Sequence, residues 1–343
     1  MRNSNIKESK KISIKDIAQL TQTSIATVSR VLNNKEGGYS DETAKKIRAV
    51  AKEYGYISNS AARSLRASRF YAIGLILPNV TNEFYANLAQ NIQRTMDEHG
   101  YSVFLCSSLN NPTSEVKYFH DLASRGVDGI ICISCLSKVT REVMFPHIPL
   151  VFLDHSPESD RKIPYITNND VQCGELATTH LLQKGCRQIL FLSAYTGYYD
   201  SKDRLAGHKK ALASNGLEFD ERYVLKQHEH GHGLDSGQQL IDSFIQTQLP
   251  FDGVVAASDE LALGAICALN QAGIKVPEVV RVIGVNNSAY SKLPSPSIST
   301  IERHPDELAH SACRALFNLI EGQEVKEDRI FIDIELVCRQ TTE

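Results

Sequence analysis

The chain has 343 residues, of which 42% are hydrophobic and 22% charged, and its formal net charge is −3. This length and apolar content are sufficient for a large core and a small additional domain. The first 11 residues are polar and charged, and no run approaches the roughly 20 apolar residues of a membrane span, so we expect a cytoplasmic protein without a membrane partner.

The first predicted elements are two short helices joined by a tight turn. Ser13 and Asp16 form a capping signature for the first helix. Apolar residues at helical spacing are expected to pack the two helices together: Ile17, Leu20, Val28, Val31 and Leu32. This pattern predicts a helix-turn-helix, whose second helix enters the major groove of DNA with its N-terminal residues at base edges.

The side chains that this core does not use are the candidate DNA contacts. Ile25 and Ala26 would meet thymine methyl groups, and Arg30 would bind a guanine or a phosphate. Further contacts are predicted for polar residues of the same segment: Ser13, Ser24, Thr27, Ser29 and Asn33. A small helical packing module is the alternative interpretation.

A third helix is expected to complete this head. Ser40 caps it, two acidic residues follow in its first turn, and Gly55 ends it. Its apolar stripe is predicted to consist of Ile47, Ala51 and Tyr54. We therefore predict a disordered tail over residues 1–11 and a helix-turn-helix domain over 12–57.

The charge changes sign along the chain. Residues 1–69 hold 14 basic and 6 acidic residues, a net charge of +8, whereas the remainder carries −11. A basic head favours phosphate binding that weakens steeply with salt, and an acidic remainder keeps DNA away from other surfaces. A solvated basic tail would give the same balance.

From residue 71 onward, short β-rich runs alternate with amphipathic helical patterns in two successive series. This alternation predicts two doubly wound lobes with parallel sheets. Strands are predicted at 72–77, 102–106, 129–133, 150–153, 188–192, 253–256 and 280–285, with helices at 173–184, 202–214 and 260–271. Another helix is predicted from the four-residue spacing of Phe84, Leu88, Ile92 and Met96, with Gly100 closing it.

The head, the segment Ala61-Ala62-Arg63-Ser64-Leu65 and the run Ile73-Gly74-Leu75-Ile76-Leu77-Pro78 resemble the LacI (lactose repressor-type) family of bacterial transcription regulators over nearly the whole chain. The resemblance implies an all-α helix-turn-helix head on an α/β periplasmic-binding-protein-like body, acting as a homodimeric repressor on a palindromic operator in double-stranded DNA.

The resemblance also implies a hinge helix over residues 58–70 that orders in the minor groove. Leu65 would be the wedge at the central base step, with Arg63 and Arg66 near phosphates and Asn59 and Ala62 as further DNA contacts. Leu65 could instead anchor the head to the body.

The implied effector-binding and dimerisation domain covers residues 71–343. Because the chain of this family crosses three times between lobes, lobe 1 would comprise 71–166 and 301–327, and lobe 2 would comprise 167–300 and 328–343.

Ligands of doubly wound folds bind beyond the carboxyl ends of the strands, here in the cleft between the lobes. The resemblance implies that Phe84 and Tyr85 stack on a small polar effector, a sugar or sugar derivative, and that Arg204 clamps its hydroxyls or an acidic group. Further effector-binding residues are predicted: Asp154, His232, Ser258 and Asn286. Phe84 could instead be core, and Arg204 could cap a neighbouring helix.

Two features depart from the family pattern. Asn286-Asn287 stands where a pair of aspartates is usual, and an asparagine donates as well as accepts, which makes a neutral sugar less secure. His228, His230 and His232 would share one face of a strand, as a metal site, an anion contact or a polar edge.

Enzymatic chemistry is not indicated. The sequence has no phosphate loop, nucleophile elbow or paired metal motif, so we predict no catalytic residue, no cofactor and no metal. The eight cysteines are scattered, with Cys132 and Cys135 as a lone C-x-x-C pair, which predicts reduced thiols. Control by a partner protein or a co-repressor metabolite stays open, whereas the basic head disfavours a plain solute-binding protein.

Overall fold

The structure is a computed structural model that describes residues 12–32, 37–56, 69–139, 145, 147–193, 202–226, 233–325 and 327–343. The chain divides into two compact units, Met1–Phe70 and Tyr71–Glu343. Within the described ranges, no helix has both the length and the hydropathy that a membrane span requires.

Among the described residues of the first unit, the helices are α1 (Ile14–Thr21), α2 (Ile25–Leu32) and α3 (Asp41–Glu53). The predicted capping box is confirmed, because the Ser13 hydroxyl accepts from the Asp16 amide at 3.3 Å and the Asp16 carboxylate accepts from the Ser13 amide at 2.8 Å. The start of α1 is thereby fixed by local chemistry, since these bonds satisfy amides that a helix start leaves without partners.

The core of this unit is smaller than predicted. Ile17, Val28 and Val31 are fully buried against α3, as expected from their spacing. Leu20 and Tyr54, however, are 47% and 52% exposed, so their assignment to the core was wrong. Both line one shallow surface depression, because three short helices enclose only one stripe from each.

Within its described residues, the second unit contains two six-stranded sheets, each flanked by helices. The first sheet consists of β1 (Ala72–Leu77), β2 (Ser102–Ser107), β3 (Gly129–Cys132), β5 (Leu150–Leu153), β7 (Tyr165–Asn168) and β13 (Arg329–Ile332). The second consists of β8 (Ile189–Ser193), β9 (Val224–Lys226), β10 (Gly253–Ala256), β11 (Arg281–Val285), β12 (Ser299–Glu302) and β14 (Glu335–Val337). The strand order is β13-β7-β5-β3-β1-β2 in the first sheet, which is parallel, and β14-β12-β11-β10-β8-β9 in the second, where β14 is antiparallel to its neighbour. A separate pair is formed by β4 (Lys138–Val139) and β6 (Glu158–Ser159).

The helices lie between the strands in sequence, which gives the predicted doubly wound arrangement. They are α4 (Glu83–Glu98), α5 (Pro112–Ser124), α6 (Asp170–Gln183), α7 (Lys202–Ser214), α8 (Gly233–Ile245), α9 (Asp259–Gln271), α10 (Ala289–Lys292) and α11 (Pro305–Ile320). The predicted stripe of α4 is confirmed, since its four members are all buried in the core of the first lobe, where α11 also packs.

Three segments connect the lobes, but the last crossing differs from the predicted boundary. Strand β13 pairs in parallel with β7 of the first sheet, and Ile330 and Ile332 pack on the core of that lobe. Residues 329–332 therefore belong to lobe 1 rather than lobe 2, and the chain crosses between Ile332 and Glu335. The other crossings lie between β7 and α6 and between β12 and α11.

Candidate functional site

The second helix of the first unit presents an outward face. Ser24 caps its start by accepting from the Thr27 amide at 3.0 Å. Ile25 is 44% exposed, and Ala26 and Arg30 are exposed beside it, whereas Val28 faces the core. Thr27 and Ser29 are half-buried between the two faces. This face therefore carries an apolar start and one guanidinium, the chemistry that reads base edges and phosphates.

Several predicted contacts lie outside the described residues and stay predictions. They are the head and hinge positions Asn33, Asn59, Ala62, Arg63, Leu65 and Arg66, and the cleft histidines His228, His230 and His232.

Five predicted effector residues follow strands at the carboxyl edges of the two sheets. The α4 start with Phe84 and Tyr85 comes after β1, and Asp154 comes directly after β5. In the second lobe, Ser258 follows β10 and Asn286 follows β11. These are the edges at which doubly wound folds bind ligands.

Phe84 lies in the core of the first lobe and is only 5% exposed. The guanidinium carbon of Arg303 lies 4.3 Å from its ring centroid. Tyr85 is half-buried beside it, and burial, with a smaller contribution from Asp154, raises the pKa of its hydroxyl strongly, so the phenol stays protonated.

Asp154 and Arg303 form a buried ion pair, and each side chain is 2% exposed. Arg303 Nε also donates to Asn168 Oδ1 at 2.9 Å, and its terminal nitrogen lies 4.0 Å from Asp170 Oδ1. Asp154 has a positive φ of 62°, a conformation uncommon outside glycine. The backbone at this predicted effector position is thus bent so that the carboxylate meets an arginine of the chain.

Arg204 is also engaged within the protein. Its Nε donates to Asp170 Oδ1 at 2.8 Å and its Nη1 donates to the Ala257 carbonyl at 2.7 Å. These bonds connect α7 to the start of α6 and to the loop after β10. The role of Arg204 as a clamp on an effector stays a prediction.

Ser258 and Asn286 differ in how fully their polar atoms are used. Ser258 caps α9 by accepting from the Leu261 amide at 3.3 Å. Asn286 has a φ of 108°, and its buried Oδ1 has no hydrogen-bond partner within the part of the chain that the structure describes. A buried acceptor without a donor is costly, so this oxygen is suited to accept from a bound molecule.

The sequence interpretation missed several residues that surround this cleft. Arg303, Asn168 and Asp170 complete the buried charge cluster, and Glu83 accepts from the Ala289 amide of the opposite lobe at 2.9 Å. The sequence does indicate a helix start at Asp170, because an acidic residue after Asn169 is typical of one. The helix had instead been predicted to begin at residue 173.

Asp259 gives the second lobe a pH dependence. Burial raises the pKa of Asp259 to about 7, although hydrogen bonds from Thr300 and Ser288 oppose the shift. The folded chain therefore binds this proton more tightly than the unfolded chain, and stability should fall as the pH rises from about 4 to about 7. We expect the urea midpoint of the wild type to fall, relative to Asp259→Asn, by the equivalent of roughly 2–4 kcal/mol over this range and to level off above it. A difference between the two proteins that is independent of pH would contradict this.

Comparison with known proteins gives a family match in each of the two units. Residues 13–59 match the family described as "Bacterial regulatory proteins, lacI family", and residues 178–342 match the "Periplasmic binding protein-like domain". The HTH-type transcriptional regulator RegA of Clostridium saccharobutylicum is 31% identical over 332 residues, which cover 96% of this chain and 99% of the relative.

A second relative and a solved structure are also similar to this chain. The ribose operon repressor of Escherichia coli K12 is 30% identical over 321 residues, covering 92% of this chain and 96% of the relative. Among solved structures, the Lac repressor dimer bound to operator and the anti-inducer ONPF has a TM-score of 0.82 at 24% identity, over 97% of this chain and 99% of that one, which supports the fold. The chain therefore belongs to the LacI family and is a DNA-binding transcriptional regulator rather than an enzyme.

Proposed function

We propose that the protein is a homodimeric repressor that binds a palindromic operator and is controlled by a small polar effector between its lobes. The observation that carries the DNA-binding part is the outward face of α2, where Ile25, Ala26 and Arg30 are exposed on a unit of net charge +8. The apolar residues would select thymine methyls, and the arginine would select guanine or hold a phosphate.

A second copy of the chain is supported by the edge of the first sheet. Strand β2 ends that sheet, and its Phe104 and Leu105 are 42% and 48% exposed on an open edge. Tyr71 and Leu109 extend the exposed apolar area at either end of the strand. Uncovered strand edges with large apolar side chains promote pairing or aggregation, so a symmetric partner would protect this one.

The effector part is supported by the Asn286 oxygen described above, together with the position of the predicted residues at both carboxyl edges. The ribose operon repressor and the Lac repressor point to a sugar or sugar derivative as the class. The test is whether the affinity of the purified protein for its operator changes when aldoses, polyols or sugar acids are added. A few kcal/mol of differential affinity between two states is sufficient for such control.

Replacing Arg30 by alanine tests the reading face. Operator DNA is first selected from a random library by the wild-type protein, and affinity is then measured by fluorescence anisotropy at fixed salt. We expect Arg30→Ala to weaken operator binding by roughly 5- to 150-fold, equivalent to about 1–3 kcal/mol, and random DNA much less.

Lys45→Ala is the matched control, because Lys45 is an exposed cation on α3 of the same unit. It removes one charge without touching α2, so any loss should be similar on operator and random DNA. Equal losses on both DNAs for Arg30→Ala would reduce Arg30 to a general phosphate contact.

A further inference from the structure

Arg303 covers the aromatic ring on which the effector was predicted to stack. Its side chain is 2% exposed, it lies over Phe84 at 4.3 Å, and it pairs with Asp154, one of the predicted effector-binding residues. We propose that Arg303 sets the ligand class of the cleft: it excludes neutral sugar rings and selects polyhydroxy carboxylates, that is, sugar acids. This inference rests on the proposed binding of an effector between the lobes.

The guanidinium is held firmly in this place. Asn168 Oδ1 accepts from Arg303 Nε, and Asn168 Nδ2 donates to the backbone carbonyls of Arg303 at 3.1 Å and Ile332 at 3.0 Å. These three residues belong to the three segments that cross between the lobes. Asn168 is therefore anchored where the lobes join, and the Arg303 guanidinium cannot leave the Phe84 ring without losing its bonds to Asn168 Oδ1 and Asp154.

A neutral sugar ring carries no group that could replace Asp154 as the partner of Arg303. At 4.3 Å from the centroid, the guanidinium is in contact with Phe84, so a sugar could stack there only if Arg303 moved away. The arginine would then lose Asp154 inside the protein, and hydroxyl groups do not replace a carboxylate as partner of a buried cation. Neutral sugars should consequently bind weakly at this face.

A sugar acid carries a group that can replace Asp154. Its carboxylate can take the place of Asp154 at Arg303, in the planar paired geometry that guanidinium groups favour. Asp154 is then available to accept from the hydroxyls of the ligand, and so is the Asn286 oxygen that has no donor within the described residues. A molecule with one carboxylate and several hydroxyls thus carries a chemical partner for each of these groups.

The first test uses the wild-type full chain and matched ligands. Calorimetric titration compares D-glucose with D-gluconate and D-glucuronate, D-galactose with D-galacturonate, and D-ribose with D-ribonate. We expect at least one acid to bind about tenfold or more tightly than its neutral partner. The inference is overturned if no acid binds, or if a neutral sugar binds as tightly as its acid. A neutral sugar that binds and also changes operator affinity would leave the proposed function intact.

The second test replaces Arg303 together with its partner Asp154. Arg303→Gln alone would leave Asp154 buried without its partner, so the double variant Arg303→Gln with Asp154→Asn replaces both charges by amides. We expect its preference for the acid to fall to about onefold. Arg329→Gln is the control, because Arg329 also lies over aromatic rings, Tyr165 at 5.1 Å and Phe331 at 4.7 Å, but on β13 outside the cluster. An undiminished preference in the double variant would show that another cation recognises the carboxylate.

Discussion

A lysine in place of Leu105 is expected to lower operator affinity by roughly 10²- to 10⁴-fold, the largest effect that we expect from one substitution. If two copies pair through β2, each edge strand would place this side chain against its partner, and two lysines would face each other across a dry contact. Without the dimer, each head binds its half-site alone and loses the effective concentration that the second head supplies. Sedimentation velocity should show a monomer, and anisotropy should show the loss of affinity.

Val279→Lys provides the comparison. Val279 is 56% exposed before β11 of the second sheet, so its replacement adds the same charge to an exposed apolar site away from β2. It should leave both the sedimentation coefficient and operator affinity unchanged. A Leu105→Lys protein that still sediments as a dimer would place the interface elsewhere.

Local patterns predicted much of this fold. The Ser13 capping box, the stripe on α4 and the strands at 72–77, 150–153 and 253–256 all depend on residues within a few positions of one another. Spacing of this kind determines which face is buried, because a helix or strand brings such residues together whatever else it packs on. The candidate loops could be chosen because doubly wound folds bind ligands beyond the carboxyl ends of their strands.

The cleft could not be predicted in the same way. Arg303 bonds to Asp154 and Asn168, which are 149 and 135 positions away, and no local pattern indicates such pairs. Phe84 shows the difference. Its helical spacing correctly placed it in the core, whereas the arginine over its ring comes from the segment between β12 and α11, which is distant in the sequence. The assignment of β13 failed for a related reason, since an edge strand with two half-buried isoleucines fits either sheet until its partner is known.

Asp170→Ala is expected to destabilise the chain by about 3–5 kcal/mol, because it removes one partner from a buried ion pair and leaves the other charge in place. Asp170 bonds to Arg204 at 2.8 Å with both side chains less than one tenth exposed, and Arg303 lies 4.0 Å away, so two guanidinium groups lose negative charge at once. Asp220→Ala is the control, since it breaks a similar aspartate–arginine pair, to Arg222 at 2.6 Å, that is open to solvent, and although it also removes the cap on the Arg222 amide it should cost much less than the loss of Asp170. Urea unfolding of the full chain, followed by circular dichroism, compares the two. Equal urea midpoints for the two variants would mean that Arg204 and Arg303 stay in place without Asp170. Asp154 and Asn168 alone would then hold Arg303 on the ring of Phe84.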